Sequence, residues 1–325
     1  MLRAGVIAVD IVLAKVQAAH SAEQVGFGDM VGYTPSALDT QATAVFELHT
    51  REDKRGFGGV HALARDRAEI VVQGAESAAE RAPTARAGAD AAALEIGRLV
   101  ASLVPDEATL QLGLGAVPEA LVPGLAGKKS LGLHSGIFMP SLRELIANGT
   151  ITGHAKSRDA GLHVATGIMA NGGAHAASWG PATQLQPVRQ THDPAALLSQ
   201  QRLWAINSAL EVDMAGQVNS EFVDGVRIAS GGGLADFACA AHFSEGGASV
   251  IAVPSQTRDG RSRLVARLGA RTQPTLQGQA VDFVVTEQGI ARLRGLSVGE
   301  RAQALIDVAH PAHRATLRRQ LQEES

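Results

Sequence analysis

Short apolar runs, bounded by polar or glycine-containing turns, recur along the whole chain and predict buried β-strands. Between these runs lie segments with apolar residues at helical spacing, of which the clearest are 89–103 and 117–125. The predicted strands are 6–16, 43–48, 68–73, 109–114, 131–134, 162–166, 202–207, 249–253 and 283–286. Strands that alternate with helices predict an α/β fold whose mostly parallel sheets carry helices on both faces.

The length of the chain adds a second feature, because 325 residues exceed the roughly 250–300 at which a single core stops growing. The best boundary is the segment 75–84, which is rich in small and charged residues and contains Pro83. We therefore predict two open α/β lobes, the first over residues 1–82 and the second over 83–325.

Charge and cysteine content exclude several classes of function. The 29 basic and 32 acidic residues give a net charge of -3, so nucleic acid and anionic membrane surfaces are not expected partners. The apolar run 5–14 is broken by Asp10 and is too short to span a bilayer, which predicts a cytoplasmic protein. The single cysteine, Cys239, excludes an intramolecular disulfide, and its apolar neighbours predict a small buried residue.

Two polar features can hold an anionic ligand. The triple glycine 231–233 precedes a predicted helix, so its backbone N–H groups either converge on an oxyanion or phosphate or simply form a tight turn. Downstream, Arg258, Arg261, Arg263 and Arg267 either clamp phosphates or form a solvated face.

Polar residues also follow predicted strands, where open parallel sheets place ligand and catalytic groups. Glu287 ends one such strand and either serves a site or caps the next helix, whereas Asn207 ends another. Glu211 and Asp213 follow closely and are turn formers or acids. The eleven histidines form no tight ligand cluster, which predicts no metal site, and no G-x-S-x-G nucleophile elbow occurs.

Several segments, taken together and in order, resemble the acetyl-CoA hydrolase/transferase family. They are 110–118, 131–135, 205–213, 216–219, 232–233, 236–237, 246–247, 251–255, 286–291, 293–295 and 309–311. The resemblance implies two related α/β lobes of the CoA-transferase type with acyl-CoA bound between them. It also implies that the first lobe is shortened and that coenzyme A is a substrate or ligand, with no separate cofactor.

The family mechanism uses a glutamate that attacks the thioester and becomes a glutamyl-CoA intermediate. The corresponding segment here is His134-Ser135-Gly136-Ile137-Phe138, so Gly136 stands at the nucleophile position. The resemblance implies that the other catalytic groups are Gly232 and Gly233 as oxyanion donors, Glu287 as an acid or orienting carboxylate, Asn207, and Ser135 beside Gly136. The residues expected to contact coenzyme A are Gly231, Ser255, Arg258, Arg261 and Arg263.

Three hypotheses follow from a family-like site that lacks its nucleophile. The first is an enzyme that hydrolyses an acyl-CoA or transfers its acyl group without a glutamyl intermediate. The second is a non-catalytic acyl-CoA-binding protein or subunit that works with a partner chain. The third is an ordinary CoA-transferase whose carboxylate is supplied by Glu211 or Glu144. A homo-oligomer, or a hetero-oligomer with a related subunit, is expected to cover the shortened lobe.

Overall fold

The structure is a computed structural model that describes residues 2, 4–18, 23–49, 62–74, 90–169 and 179–323. Within these residues the strands are β1 (Ile11–Ala18), β2 (Gln24–Gly26), β3 (Thr43–His49), β4 (Ala62–Ala64), β5 (Ile70–Gln73), β6 (Thr109–Leu112), β7 (Gly132–Leu133), β8 (Ile137–Phe138), β9 (His163–Ala165), β10 (Gly167–Ile168), β11 (Thr183–Leu185), β12 (Leu203–Asn207), β13 (Glu211–Asp213), β14 (Val218–Asn219), β15 (Phe222–Val223), β16 (Val226–Arg227), β17 (Ala248–Ala252), β18 (Leu264–Val265), β19 (Phe283–Thr286) and β20 (Gly289–Arg292).

The helices of the same described residues are mostly short. They are α1 (Thr34–Leu38), α2 (Ala91–Leu103), α3 (Ala116–Leu121), α4 (Leu142–Ala147), α5 (Val188–Thr191), α6 (Pro194–Leu198), α7 (Leu234–Phe243), α8 (Val298–Asp307) and α9 (Pro311–Glu323). Single 3-10 turns occupy Arg65–Arg67, Val122–Leu125 and Gly278–Ala280.

The larger sheet has six strands in the order β20-β19-β17-β12-β6-β7. All neighbouring pairs are parallel except β20, which runs antiparallel to β19 at one edge. Every residue of β6, β12 and β17 is buried, as expected for parallel strands that are covered on both faces. This sheet confirms the predicted α/β fold with a mostly parallel sheet.

Helices cover both faces of the larger sheet. On one face, α2 contributes Ile96 and Val100 to the core that contains Ile206 and Val250. On the other face, α7 packs Phe237 and its alanines against Leu203 and Ala205. The alternation of neighbouring residues between these two cores follows from the two-residue period of a strand.

A second, mixed sheet of five strands lies in the first part of the chain, in the order β4-β2-β1-β3-β5. Strands β1, β3 and β5 are parallel, whereas β2 and β4 are antiparallel to their neighbours. One face buries Val12, Val16, Phe46 and Leu48 in the core. The opposite face carries apolar side chains that remain exposed, among them Leu13.

Most predicted elements are present with shifted ends. The first strand begins at Ile11 rather than residue 6, because its parallel partner β3 begins at Thr43, which pairs with Ile11. The strand predicted over 109–114 ends at Leu112, before a turn in which Gly115 has a φ of 135°. The helix predicted over 117–125 becomes α3 followed by a 3-10 turn from Val122.

Two further predictions meet different outcomes. The linker proposed at 75–84, with the lobe boundary between residues 82 and 83, lies outside the described residues and stays a prediction. The prediction that Cys239 is buried is wrong, because the side chain lies on the exposed side of α7 while Phe237, Ala238 and Ala241 face the core. Partial desolvation of the thiol nevertheless raises its pKa, and the nearby Asp236 charge raises it further.

Candidate active site

The carboxyl ends of five parallel strands form one edge of the larger sheet, and the predicted site residues follow them. Ser135 comes after β7, Gly113 after β6, Asn207 ends β12, Ser255 comes after β17, and Glu287 comes directly after β19. Open parallel sheets bind ligands at this edge because the loops there converge and the strand ends present free polar groups. The edge is therefore the candidate site.

Asn207 is held at the middle of this edge by a reciprocal amide pair. Gln111 Nε2 donates to Asn207 Oδ1 at 3.1 Å, and Asn207 Nδ2 donates to Gln111 Oε1 at 2.8 Å. Gly113 makes this possible, since a Cβ there would lie only 2.8 Å from Asn207 Oδ1. Asn207 is 6% exposed, so it is a fixed polar group beneath the edge.

The Ser135 side chain is buried, and its hydroxyl contacts backbone groups of neighbouring segments. Its hydroxyl oxygen lies 3.3 Å from the carbonyl oxygens of both Leu112 and Ile137, either of which can accept its single hydrogen. The adjacent His134 donates from Nε2 to the carbonyl oxygen of Thr191 at 2.9 Å. These contacts indicate that Ser135 positions the loop after β7, which carries Gly136.

Gly136 faces the ring of His192. A Cβ built at Gly136 would lie 3.6 Å from His192 Nε2, which is ordinary van der Waals contact. Its carbonyl oxygen accepts hydrogen bonds from the N–H groups of Thr166 at 2.9 Å and Gly167 at 3.2 Å. The position is thus fixed by the backbone and has room for a side chain.

The glycine loop before α7 approaches the same histidine. A Cβ at Gly233 would lie 2.5 Å from His192 Nε2, so only glycine lets the ring pack here. The ring also meets Phe237 edge-on, with centroids 4.9 Å apart. Gly136 and Gly233 are therefore brought together across His192.

The three glycines of the loop differ in their contacts. Gly231 lies against Thr275 and Glu221, and its N–H bonds to the Glu221 carboxylate. Gly232 has a φ of 56°, which favours glycine, and Gly233 is the N-cap of α7. Among the described residues, the N–H groups of Gly232 and Gly233 have no hydrogen-bond acceptor. They are the two donors that remain free for a ligand oxygen.

The Glu287 carboxylate accepts two hydrogen bonds from Ser255. The Ser255 N–H donates to Glu287 Oε2 at 2.9 Å, and the Ser255 hydroxyl donates to Glu287 Oε1 in a very short contact. Burial alone would raise the pKa of Glu287, but the hydrogen bonds from Ser255 outweigh it and lower the pKa below its usual value. The carboxylate is ionised and tethered at neutral pH.

The predicted residues form two groups along the edge. Strand β19, which ends beside Glu287, is four strands away from β7, which leads to Gly136. With strands about 4.8 Å apart, the two ends are roughly 19 Å from each other. Glu287 and Ser255 therefore lie at a different part of the edge from Gly136, Gly233 and His192.

The arginines do not converge on one point. Arg261 pairs with Asp259 at 2.9 Å and lies 3.7 Å from Asp224. Arg263 is half-buried and donates to the carbonyl oxygen of Leu210 at 3.0 Å. Arg258 is exposed and has no ion-pair partner within the described part of the chain, which leaves its guanidinium available.

Neither alternative carboxylate lies at the Gly136 position. Glu211 accepts a hydrogen bond from Asn219 at 3.1 Å, and Glu144 is an exposed residue of α4. Asp213 accepts from the N–H groups of Ala215 and Gln217, as a turn former does. No cluster of three or more potential metal ligands occurs in the described ranges.

His192 is the site residue that the sequence did not single out. It is the C-cap of the four-residue helix α5, and its spacing to other polar residues carries no motif. Its position beside Gly136 depends on the packing of α5 against the loop before α7, which no local pattern encodes.

Together these features define an α/β protein with a candidate small-molecule site at the carboxyl edge of a parallel sheet, where a glycine loop presents free N–H donors. Comparison with known proteins is more specific. The family model of the acetyl-CoA hydrolase/transferase C-terminal domain matches residues 176–321. The 4-hydroxybutyrate coenzyme A transferase of Clostridium kluyveri is 32% identical over 312 residues, which cover 95% of this chain and 71% of that protein.

Two other relatives extend the comparison. An acetyl-CoA hydrolase of Saccharomyces cerevisiae is 31% identical over 235 residues, covering 68% of this chain and 41% of the relative. The crystal structure of 4-hydroxybutyrate CoA-transferase from Porphyromonas gingivalis superposes with a TM-score of 0.83 at 30% identity, covering 100% of this chain and 77% of that one.

The chain therefore belongs to the acetyl-CoA hydrolase/transferase family. It is an enzyme of the CoA-transferase and acetyl-CoA hydrolase kind, which confirms the resemblance and the enzyme prediction and disfavours a purely binding role. Within the part of the chain that the structure covers, no helix is both long and apolar enough to cross a membrane.

Proposed function

We propose that this enzyme cleaves an acyl-CoA thioester, by hydrolysis or by direct acyl transfer, without a glutamyl-CoA intermediate. The observation that carries this proposal is Gly136, which faces His192 and the Gly233 loop but has no side chain to form an acyl adduct. Water attacks the thioester carbonyl directly and releases coenzyme A, or an acceptor carboxylate attacks it to give a mixed anhydride and thiolate, and the thiolate then attacks the acceptor's carbonyl and releases the original acid. Coenzyme A is substrate or product, and no further cofactor or metal takes part.

The N–H groups of Gly232 and Gly233 are the proposed oxyanion donors. Their lack of acceptors among the described residues supports this role, since free backbone donors need no reorganisation when charge develops on the carbonyl oxygen. One such donor is worth about 2.7–4 kcal/mol of transition-state stabilisation. That contribution does not depend on the missing nucleophile.

The remaining site residues have supporting roles in this proposal. Asn207 and Ser135 hold the strand ends in place, as their hydrogen bonds support. The Glu287 carboxylate orients Ser255, which its two hydrogen bonds favour over a role as a catalytic acid. Arg258 contacts the phosphates of coenzyme A, with Gly231, Ser255, Arg261 and Arg263 as secondary contacts.

A panel of short acyl-CoAs, incubated with the protein with and without acetate while free coenzyme A is followed by mass spectrometry, tests the function. Release without acetate indicates hydrolysis, and acetyl-CoA formed only with acetate indicates transfer. If no acyl-CoA is consumed under either condition, the proposed function is wrong. Calorimetry with coenzyme A tests binding separately, and absence of binding at millimolar concentration counts against the site.

We further propose that a second copy of this chain covers the outer face of the first sheet. Leu13 is 77% exposed and Ile70 is 51% exposed, and both lie beside Val45 in register on neighbouring strands. Soluble proteins seldom leave a contiguous apolar face in water, and self-association removes it. The cytoplasmic location expected from the sequence remains a prediction alongside this one.

A further inference from the structure

The ring of His192 has one tethered nitrogen and one that faces the site. Nδ1 lies 2.7 Å from the hydroxyl oxygen of Thr191. Nε2 lies within 3.6 Å of the Cβ positions built at both Gly136 and Gly233. Among the described residues, the hydrogen bond of this ring runs through Nδ1, and Nε2 has no hydrogen-bond partner. The free nitrogen therefore points at the place where the family has its nucleophile and beside the free N–H groups of the glycine loop.

Thr191 can select the tautomer that makes Nε2 a base. Its hydroxyl oxygen lies 3.5 Å from the carbonyl oxygen of Pro187, which can accept the hydroxyl hydrogen. With the hydroxyl hydrogen turned to Pro187, the hydroxyl oxygen accepts from Nδ1–H of His192, which leaves the Nε2 lone pair unprotonated. Thr191 is itself fixed, because its carbonyl oxygen accepts the hydrogen bond from His134.

The surroundings also keep the ring neutral. Burial lowers the pKa of His192, and the opposing effect of Asp236 on α7 does not cancel it. The nearby His134, on the loop after β7, has its own pKa lowered to about 4, mainly by burial and to a smaller extent by the charge of His192. At neutral pH both imidazoles are uncharged, so His192 can accept a proton.

We propose that His192 is the general base that activates water for attack on the thioester, which makes hydrolysis the reaction of this chain. This inference rests on the proposed function and names the residue that replaces the family nucleophile. Nε2 removes a proton from water as the water oxygen bonds to the carbonyl carbon. The oxyanion is held by the N–H groups of Gly232 and Gly233.

The intermediate then collapses and the carbon–sulfur bond breaks. Nε2–H returns the proton to the departing thiolate, so the products are coenzyme A thiol and a carboxylic acid, which ionises to a carboxylate and one proton. Water is the only co-reactant. The glycine at position 136 suits this step, because a longer side chain there would contact Nε2 and occupy the approach of the water.

The test compares wild type with His192→Gln, using release of coenzyme A from acyl-CoA in water enriched in ¹⁸O. We expect one ¹⁸O atom in each product acid from wild type. In His192→Gln we expect kcat to fall by about 10²–10⁴-fold while KM changes little. His154→Gln is the matched control, since His154 is an exposed histidine outside the site, and its rate should equal wild type.

Thr191→Val provides a second test that keeps the base but removes its orienting hydroxyl. We expect kcat to fall by up to about a hundredfold through misplacement of the ring, and Thr191→Ser to restore it. In wild type, the pH at which kcat falls to half its maximum should lie below 6.5, because the base is active above its lowered pKa. Circular dichroism and thermal melts establish that each variant is folded.

The outcomes separate this inference from the function on which it rests. If wild type releases coenzyme A and His192→Gln does so within about threefold of that rate, His192 is not the base, although the function stands. If acyl-CoA is consumed only with an added carboxylate and no ¹⁸O enters the acid, the water attack is wrong and the enzyme is a transferase. If wild type consumes no acyl-CoA, both proposals are overturned.

Discussion

Ser255 donates both its N–H and its hydroxyl to the carboxylate of Glu287, and this contact ties the end of β17 to the end of β19. The pair explains why a glutamate follows an apolar strand at this position. A buried serine N–H would otherwise lack an acceptor, at a cost of about 1–3 kcal/mol.

Replacing Glu287 by Gln tests whether the carboxylate acts in chemistry. The amide can accept only one of the two hydrogen bonds from Ser255, so we expect the free energy of unfolding to fall by about 1–2 kcal/mol. Turnover, measured well below the melting temperature, should change by less than about threefold. A hundredfold loss of kcat with unchanged acyl-CoA affinity would instead make Glu287 a catalytic group.

Arg258 offers a separate test of coenzyme A binding. It is exposed and has no ion-pair partner in the described residues, whereas Arg261 is paired with Asp259. We expect Arg258→Gln to raise KM for acyl-CoA by about tenfold, because one charge-assisted contact is lost, and to leave kcat unchanged. Arg319→Gln, on the exposed surface of α9, is the control. Equal KM values for both variants would remove Arg258 from the site.

The fold followed largely from local patterns in the sequence. Continuous apolar runs such as Phe283–Thr286 become buried parallel strands because both faces of the sheet are covered. Strand ends were less predictable, as at Ile11, because they depend on where the partner strand begins. Cys239 was misplaced for a related reason, since the small residues of α7 do not mark which side faces the core.

The site was predictable where its residues follow strands or belong to family segments. Asn207 and Ser255 were found in this way, and they lie at the carboxyl edge as expected. His192 was not found, because its role comes from contacts across some 40–60 residues of sequence, with Gly136 and Gly233. The contact of Arg261 with Asp224 was also unforeseen, since Asp224 lies on a separate hairpin turn.

Buried histidines predict an acid-sensitive fold. Burial lowers the pKa values of His134 and His163 to about 4, from 6.5 in the unfolded chain. Between these values the unfolded chain binds protons that the folded chain does not, so stability is full above pH 6.5 and is lost progressively as pH falls to about 4.

Urea unfolding at pH 7 and pH 5 should therefore show a loss of about 1–2 kcal/mol per histidine at the lower pH. In His163→Gln the loss of unfolding free energy between pH 7 and pH 5 should be smaller than in wild type by the contribution of one histidine. An equal pH dependence in wild type and His163→Gln would mean that His163 is not held neutral by burial.

The apolar face of the first sheet predicts self-association. Leu13→Lys places a charge in the middle of that face, next to Val45 of β3, and should convert a dimer at micromolar concentration into a monomer by light scattering. Val298→Lys is the matched control, because Val298 is also an exposed apolar residue but lies on α8. A wild-type monomer at this concentration would contradict the proposal.

Gly136 gives the most direct test of the family mechanism. The wild type cannot form an acyl or glutamyl-CoA adduct at residue 136, so trapping with borohydride or hydroxylamine should leave that residue unmodified. In Gly136→Glu a carboxylate is restored beside the Gly232 and Gly233 donors, and its Cβ meets His192 only at ordinary contact distance. The variant should fold, because the φ of Gly136 is not in the left-handed region.

We expect Gly136→Glu to gain acetate-dependent transfer of coenzyme A and a trappable adduct at residue 136. The carboxylate introduced at residue 136 would attack the thioester and expel thiolate, and the thiolate would attack the glutamyl carbonyl of the mixed anhydride and release the first acid. Acetate would then attack the glutamyl-CoA thioester, and the expelled thiolate would attack the acetyl carbonyl, which gives acetyl-CoA and the free carboxylate. The rate will be below that of a natural transferase, since a misplacement of 1 Å can cost about a hundredfold. Gly136→Gln has the same shape without a nucleophile and should give neither product. If Gly136→Glu binds acyl-CoA yet behaves like Gly136→Gln, residue 136 does not occupy the family's nucleophile position, and the edge near His192 has been rebuilt for different chemistry.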